Sequence, residues 1–309
     1  MAKNLISLVQ LGTIDYATGL RLQEKLVALR KENAIGDVLL LLEHTPVITL
    51  GRNARAGNVI ASSELLAQRG VELFETDRGG DVTFHGPGQI VGYPIFDLRG
   101  YAPAPGNGHV ATAAPGRPVE RSSTARKHLG AVDFVRRLEE VLIRTCADFG
   151  IETKRIPGLT GVWTNPMALS SRAEESDSKN RSLESRDPLF ADTPANAEAK
   201  LAAIGIHISR FVTSHGFALN VNPDLSFFNL IIPCGIATKP VTSMQRQLNQ
   251  ALDLSAVAVA ISRNFGTVFQ SQMLWLDSLD ALLGQTVGVP MNQPAELRQM
   301  HEEDDTAWA

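Results

Sequence analysis

The sequence predicts a mixed α/β (α+β) fold in which a mixed sheet is flanked by helices. Apolar residues recur at helical spacing over 13–33. The next segment, 37–43, is a short apolar run of strand length. Helical and strand-like patterns keep alternating along the 309 residues, of which 44% are hydrophobic, as in ordinary globular proteins. Alternating elements of both types within one chain indicate this fold class.

The remaining elements follow from the same patterns, taken in chain order. In 78–99, glycines and Pro87 separate two β-like runs, which predicts a hairpin or a sharp loop. A strand-like run over 227–232 stops at Pro233. We also predict strands over 46–50, 71–76, 200–208 and 211–222, and helices over 62–69, 133–149, 243–248 and 255–265.

Two segments interrupt the compact pattern. Residues 101–127 are rich in Pro, Gly, Ala and Ser, and residues 166–198 are rich in Ser, Glu, Arg and Asp. Both are interpreted as flexible insertions. Because the strand-like runs around them fit one sheet, we predict a single domain over 1–270. A C-terminal helical extension with an acidic tail is expected over 271–309.

Charge and cysteine content exclude several classes of protein. A net charge of −4 argues against broad nucleic-acid binding, which needs a positive field to displace counterions from phosphates. Two cysteines cannot form a disulfide framework, and they lack zinc-site spacing. The N-terminal apolar run soon meets Gly12 and Asp15, so neither a signal peptide nor a spanning helix is predicted. A cytoplasmic protein without membrane association is expected.

Cys234 is the strongest candidate nucleophile. It lies between Pro233 and Gly235, where a rigid and then a permissive backbone can present a side chain. The alternative is a small buried hydrophobe, which is the usual state of a free cysteine. Cys146, on the apolar face of a predicted helix, is interpreted as such a core residue. The sequence contains neither a P-loop nor a Gly-x-Ser-x-Gly elbow.

A thiol needs a base or a positive neighbour at neutral pH, because its free pKa is about 8.5. Lys200, in a stretch of small and apolar residues, is a candidate, and its alternative role is a strand-edge lysine reaching water. His85 could orient a substrate, donate to an oxyanion or end a hairpin. His207 and His215 could share a metal, but no third ligand has suitable spacing, so no metal is expected.

Three motifs together resemble the lipoyl(octanoyl) transferase family. They are RGGDVTFHGPGQIVGYPIFDLR (78–99), AKLAAIGIHISRFVTSHGFALNVN (199–222) and DLSFFNLIIPCGI (224–236). EHTPVITLGRNA (43–54) and GVW (161–163) extend the likeness over most of 5–270 outside the two insertions. The resemblance implies one acyltransferase domain, similar in fold to the catalytic domain of biotin and lipoate protein ligases.

The resemblance also implies a reaction. An octanoyl group would pass from acyl carrier protein to the target lysine of lipoyl domains, in 2-oxoacid dehydrogenase complexes and the glycine cleavage H protein. Cys234 would carry the acyl thioester, and Lys200 would lower its pKa and accept a proton. No cofactor is expected, because the donor acyl group is already activated on the carrier's phosphopantetheine. The implied acyl-pocket residues are Arg78, Gly79, Gly80, Asp81, Val82, Thr83, Phe84, His85, Ala203, Ile204, Gly205, Gly216, Phe217 and Ala218.

Both protein partners are expected to be acidic around the modified residue. The candidate docking charges are Arg52, Arg55, Arg78, Lys154, Arg155 and Arg210, and the alternative role for each is plain surface solvation.

Two other functions remain open at this point. The first is an ATP-dependent lipoate or biotin ligase, to which GRNARAGN (51–58) bears a passing likeness. Such ligases need no cysteine nucleophile. The second is a non-catalytic relative that only binds a carrier protein, and the presence of both Cys234 and Lys200 argues against it.

Overall fold

The computed structural model describes residues 4–102, 128–165, 198–233 and 239–280. These residues form an eight-stranded mixed sheet, a separate three-stranded sheet and five α-helices. Most of the two predicted insertions, the acidic tail and Cys234 lie outside the described residues. Within the described ranges, no helix combines the length and apolar character that crossing a membrane requires.

The large sheet joins parallel and antiparallel strands. In chain order the strands are β1 (Asn4–Ile14), β2 (Asp37–His44), β3 (Val47–Leu50), β4 (Glu72–Glu75), β5 (Val82–His85), β6 (Gln89–Ile95), β7 (Thr153–Ile156), β8 (Leu159–Thr164), β9 (Lys200–Ser209), β10 (Val212–Asn220) and β11 (Ser271–Trp275). The large sheet has the order β11-β1-β2-β6-β10-β9-β8-β7. Its first three strands are parallel, and the remaining pairs are antiparallel. In the small sheet, β3 lies between β4 and β5.

Helices cover both faces of the large sheet. They are α1 (Tyr16–Lys31), α2 (Ser63–Gln68), α3 (Ala131–Asp148), α4 (Met244–Leu248) and α5 (Leu254–Phe269). The apolar face of α3 packs with α5 in one core cluster, which includes Phe134 and Phe265. Helix α1 buries Leu22 and Leu26 in a second cluster on the opposite face. This arrangement confirms the predicted mixed sheet with flanking helices.

The two β-like runs of 78–99 do not form a hairpin. Strand β5 pairs with β3 in the small sheet, whereas β6 pairs with β2 and β10 in the large one. The connection is the sharp loop that was the other expectation, and Gly88 takes the left-handed φ of 83° there. An added side chain at Gly88 would lie 2.5 Å from the carbonyl oxygen of Asn222, so the loop also packs too closely for a larger residue.

Two segments differ from their predicted type. The extension expected to be helical from residue 271 begins with β11, which pairs in parallel with β1. Gln270 ends α5 in a left-handed conformation, and the chain then completes the sheet edge, so the sheet extends to Trp275. The run over 227–232 that was predicted as a strand instead overlaps a 3₁₀ helix over Leu225–Leu230, and the Asp224 carboxylate accepts the Ser226 N–H at the start of that helix.

Strand β1 was not predicted. Its N-terminal half alternates poorly, because Ile6, Leu8 and Val9 are all buried between β11 and β2. A strand covered on both faces lacks the alternation of polar and apolar residues that identifies a half-buried strand.

Candidate functional site

A cavity of about 530 Å³ lies where the large sheet meets the loop that precedes β5. This volume falls within the usual range for sites that hold small molecules, roughly 300–1,000 Å³. Strands β6, β9 and β10 contribute one wall, and residues 78–81 with Thr83 and His85 contribute another. The structure brings together here all the predicted pocket residues except Val82 and Phe84: Arg78, Gly79, Gly80, Asp81, Thr83, His85, Ala203, Ile204, Gly205, Gly216, Phe217 and Ala218.

Val82 and Phe84 do not line the cavity. Alternate residues of a strand point to opposite faces, so when Thr83 and His85 face the cavity, Val82 and Phe84 face away from it. Both pack in the core cluster of the small sheet, where the ring of Phe84 stacks on Phe227 with centroids 4.7 Å apart.

Ile204 and Phe217 border the cavity because they belong to β9 and β10, which form its wall. Their side chains pack with the core under α3 and α5, and the rings of Phe217 and Phe265 have centroids 6.0 Å apart. The same alternation therefore leaves Ala203, Gly205, Gly216 and Ala218 on the cavity side, as small residues that leave a narrow space.

The loop at 78–80 lies directly against β9. The Gly79 N–H donates to the Ile206 carbonyl at 3.0 Å. A Cβ added at Gly205 would lie 2.6 Å from the Gly79 carbonyl oxygen, closer than real side-chain contacts allow. Glycine at 205 is therefore required for the close approach of two backbones that form the cavity wall.

Arg78 is buried in that wall rather than extended into solvent. Its side chain donates to the Thr49 carbonyl at 2.6 Å and to Thr49 Oγ1 at 2.9 Å, and only 8% of the residue is exposed. These charge-assisted bonds hold the guanidinium in one position. It is a fixed positive charge of the cavity wall, so the sequence-based suggestion that it docks a partner at the surface was wrong.

His85 and His44 form a buried imidazole pair beside the cavity. Burial, above all, lowers the pKa of His85 to about 3 and that of His44 to about 4. The Gln89 amide oxygen accepts from His85 Nδ1 at 2.7 Å, so the one proton of the neutral ring is already engaged. His85 therefore has no proton to donate to an oxyanion, and its hairpin-ending role is also excluded, because β5 and β6 form no hairpin.

A hydrogen-bonded chain leads from His85 to the strand that carries Lys200. Gln89 Nε2 donates to Asn220 Oδ1 at 2.8 Å, and Asn220 Nδ2 donates to the Thr242 carbonyl at 2.9 Å. The Thr242 N–H then donates to the Lys200 carbonyl at 2.9 Å. Because every one of these side chains is buried, the chain of bonds fixes the segment at 240–242 against the first residue of β9.

Lys200 lines the cavity and is 8% exposed. Its Nζ lies 4.7 Å from the centre of the Trp163 ring. Strand β9 lies between β8 and β10, so Lys200 is not a strand-edge lysine reaching water, and that alternative was wrong. Trp163 and the backbone bonds to 240–242 together hold its amine at the cavity.

Sequence reasoning missed Tyr16, Tyr93 and Asp77. Both tyrosines line the cavity, and the Tyr93 hydroxyl donates to His44 Nε2 at 2.6 Å. The Asp77 carboxylate bonds to His207 Nδ1 and, at 2.7 Å, to His215 Nε2. His215 lines the cavity in a left-handed conformation, φ 54°. More than 100 positions separate Asp77 from either histidine, and no spacing rule could have paired them.

Cys146 is the core residue that the sequence predicted. It is fully buried on α3, and burial raises the pKa of its thiol to about 12. A thiol in that environment stays protonated and unreactive at neutral pH.

Comparison with known proteins is consistent across sequence and structure. The family described as "Lipoyl protein ligase A/B catalytic domain" matches residues 15–106 and 122–266. An octanoyltransferase of Koribacter versatilis is 50% identical over 300 residues, 97% of this chain and 98% of that protein. An octanoyltransferase of Acidobacterium capsulatum is 48% identical over 281 residues, 90% of this chain and 96% of that protein.

Solved structures show the same fold at low sequence identity. Lipoate-protein ligase A bound with ATP superposes with a TM-score of 0.51 at 10% identity, over 91% of this chain and 92% of that one. A bi-partite lipoate protein ligase from Thermoplasma acidophilum gives a TM-score of 0.50 at 11% identity, over 91% of each chain. At this identity, the likeness concerns the fold alone.

Proposed function

The chain belongs to the family of lipoyl protein ligase A/B catalytic domains and, within it, to the octanoyltransferases, and from this membership we propose that it transfers an octanoyl group from octanoyl acyl carrier protein to the target lysine of a lipoyl domain. Octanoyltransferases are acyltransferases. The proposed route has a covalent intermediate on Cys234 and uses Lys200 as the group that activates the thiol and moves protons.

One observation carries the proposed route. Pro233, the residue before Cys234 in the chain, borders a small cleft together with Lys200 and Ala203. Lys200 and Ala203 also line the larger cavity. The chain that leads to the proposed nucleophile therefore meets the proposed proton carrier at the wall of the acyl site.

The first half-reaction acylates the enzyme. An ammonium beside a thiol lowers the thiol's pKa from about 8.5 and favours the thiolate. The Cys234 thiolate attacks the carbonyl carbon of the carrier-bound thioester, and the bond to the pantetheine sulfur breaks. The departing carrier thiolate takes a proton from Lys200. ATP has no role, because the thioester donor is already activated.

The second half-reaction forms the amide. The amine of a lipoyl-domain lysine attacks the Cys234 thioester, Lys200 accepts the proton that the amine loses, and the Cys234 thiolate leaves. Lys200 therefore gives up a proton in one half-reaction and regains it in the other, and the enzyme returns to its starting state.

The cavity suits a linear acyl chain. Ala203, Gly205, Gly216 and Ala218 leave a narrow space along β9 and β10, and Val91 adds an apolar surface from β6. Tyr16, Val91 and Tyr93 are almost fully buried, whereas Asn53 and Arg55 are exposed, so the cavity has an inner end and an open mouth.

Lipoyl domains are the proposed acceptors. The Thermoplasma structure pairs its ligase with an E2 lipoyl domain, and this supports the same class of acceptor for the present chain. We extend the proposal to lipoyl domains of 2-oxoacid dehydrogenase complexes and to the glycine cleavage H protein. The proposed reaction requires no cofactor beyond the carrier's own phosphopantetheine and takes place in the cytoplasm.

Intact-protein mass spectrometry tests the route. The protein is mixed with octanoyl acyl carrier protein without ATP, and wild type is compared with Cys234→Ala and Cys146→Ala. A hydroxylamine-labile octanoyl adduct is expected in wild type and in Cys146→Ala, because Cys146 is buried, and it should be missing from Cys234→Ala.

Two results would contradict the proposal. Labelling that requires ATP and free octanoate would indicate an ATP-dependent lipoate or biotin ligase. Carrier binding without any adduct or transfer would indicate a non-catalytic carrier-binding relative.

A further inference from the structure

The structure sorts the six charges that were candidates for docking. Arg155 pairs with Glu139 and Glu140, and Lys154 pairs with Glu198. Arg78 is buried against Thr49. The exposed arginines Arg52, Arg55 and Arg210 form no ion pair or side-chain hydrogen bond with the residues that the structure describes.

Two of these three arginines lie at the mouth of the cavity. Arg55 lines the cavity with Asn53 and Asn58. Arg52 is on the same turn, and its N–H donates to the Arg78 carbonyl at 3.0 Å. The Asn53 N–H donates to the Gly80 carbonyl at 3.1 Å, so this turn lies along the loop at 78–80. Arg210 lies instead at the turn between β9 and β10.

Exposed apolar residues follow these arginines in the chain. Ile60 is 53% exposed and Leu65 is 38% exposed. The same segment contacts the chain that leads to Pro233, because Val59 bridges Ile231 and the Ile232 N–H donates to the Asn58 carbonyl at 2.7 Å. A partner bound here would therefore lie beside both the cavity mouth and the proposed nucleophile.

The cavity itself carries positive charge. Arg55, Arg78 and Lys200 line it. Asp81 is the one acidic side chain among the described residues of the lining, and its carboxylate already accepts from Asn58 Nδ2 at 2.6 Å and from the Val82 N–H at 2.7 Å. The mouth therefore favours an anionic ligand even though the whole chain has a net charge of −4.

We infer that the surface formed by Arg52, Asn53, Arg55, Ile60 and Leu65, here called the rim surface, docks an acidic acyl carrier protein. The inference rests on the proposed function, which supplies the carrier as donor. The carrier's arm is attached through a phosphodiester, which is anionic at neutral pH, and acidic side chains around it add to that charge. Arg52 and Arg55 steer and orient this partner, while Ile60 and Leu65 provide the apolar contact.

Binding of the carrier tests the rim surface without requiring turnover. The full chain is titrated with holo acyl carrier protein at several salt concentrations, for wild type, Arg52→Glu/Arg55→Glu and Arg210→Glu. The double variant is expected to lose affinity on the order of tenfold or more and most of the salt dependence, because like charges then face each other. Arg210→Glu, a matched reversal of an exposed arginine away from the mouth, should bind as wild type does.

Acylation with two donors completes the test. Arg52 does not line the cavity, so Arg52→Glu alone should acylate at the wild-type rate with octanoyl-pantetheine, which lacks both phosphate and protein. With octanoyl carrier protein the KM of Arg52→Glu should rise several-fold, and that of the double variant about tenfold. Unchanged carrier binding in the double variant, an equal loss in Arg210→Glu, or an equal loss by Arg52→Glu with octanoyl-pantetheine would each overturn the inference. Normal carrier binding by a wild type that forms no Cys234 adduct would instead refute the proposed function and leave the docking surface standing.

Discussion

The Nζ atom of Lys200 lies 4.7 Å from the centre of the Trp163 ring, and Trp163 is 1% exposed. A cation over the face of an indole ring is attracted by the ring's quadrupole, an interaction worth about 0.5–2 kcal/mol. The Nζ atom of Lys239 lies 5.8 Å from the centre of the same ring and donates to Glu198 Oε2 at 2.6 Å. Trp163 thus orients the amine to which the proposal assigns both proton transfers.

Replacement of Trp163 tests this orientation. We expect Trp163→Leu to slow acyl-enzyme formation about tenfold, because the amine loses an interaction of about 1–2 kcal/mol. Trp163→Phe retains an aromatic face and should recover much of the rate. Single-turnover acylation of Cys234 measures both, alongside thermal unfolding. Equal rates in the two variants would show that the ring only fills space.

Gly205→Ala should disrupt the cavity wall. Its new methyl group would lie 2.6 Å from the Gly79 carbonyl oxygen, so the loop at 78–80 must move away from β9. We expect a loss of about 1–3 kcal/mol in the free energy of unfolding, together with a lower acylation rate. Gly36→Ala is the control, because nothing lies within 4 Å of a Cβ at that position. Urea denaturation measures the free energy of unfolding of both variants. A Gly205→Ala protein as stable and as active as wild type would show that glycine is not required for this close approach.

Replacing Asn220, which is buried, should lower the reaction rate more than replacing Asn222, a half-buried amide that makes the same kind of bond. Its Nδ2 bonds the Thr242 carbonyl and so holds the segment paired with Lys200, whereas Asn222 Nδ2 bonds the Leu252 carbonyl at 2.7 Å. Each alanine variant loses a partner for a backbone carbonyl, which costs about 1–3 kcal/mol of stability.

Only Asn220→Ala should also lower kcat, with KM for the carrier donor unchanged. Steady-state kinetics of Asn220→Ala and Asn222→Ala, run at a temperature where both remain folded, provide the comparison. A kcat that falls equally in the two variants would indicate a general packing effect.

Stability should fall in mild acid because of the buried imidazoles. Burial lowers the pKa of His44 to about 4 and that of His85 to about 3, below the value of about 6.5 in an unfolded chain. Below that pH the unfolded state binds more protons than the folded state, so stability is complete above about pH 6.5 and is lost as pH falls toward 4. Each shift of a few pKa units corresponds to on the order of 3 kcal/mol.

Denaturant unfolding at pH 7.5 and pH 5 measures this loss. The variant His44→Gln, with no group that titrates in this range, should be less stable than wild type at pH 7.5 but should lose less on acidification. If its pH dependence matches that of wild type, His44 is not one of the groups responsible.

Most helices and strands were predictable because their patterns are local. Asp15 and the apolar spacing after it define α1, and the Asp15 carboxylate accepts the Thr18 N–H at 2.8 Å. The pairing of β9 with β10 follows from two adjacent strand patterns with a short connection. Strand β1 was missed because burial on both faces removes the alternation that identifies a strand, and β11 was missed because its pairing with β1 is formed by residues more than 250 positions apart.

The sequence by itself determined the family, through the ordered motifs at 78–99, 199–222 and 224–236. The resemblance named part of the cavity wall, because those motifs are contiguous in the chain, but it did not name Tyr16 or Tyr93. Only the tertiary structure decided which way each side chain faces. Strand alternation turned Val82 and Phe84 into the core and left Thr83 and His85 at the cavity. Packing of the sheets also brought Asp77 to His215 and Lys200 to Trp163, because contacts between distant segments form only in the folded chain. The same packing left Arg52 and Arg55 without ion pairs among the described residues.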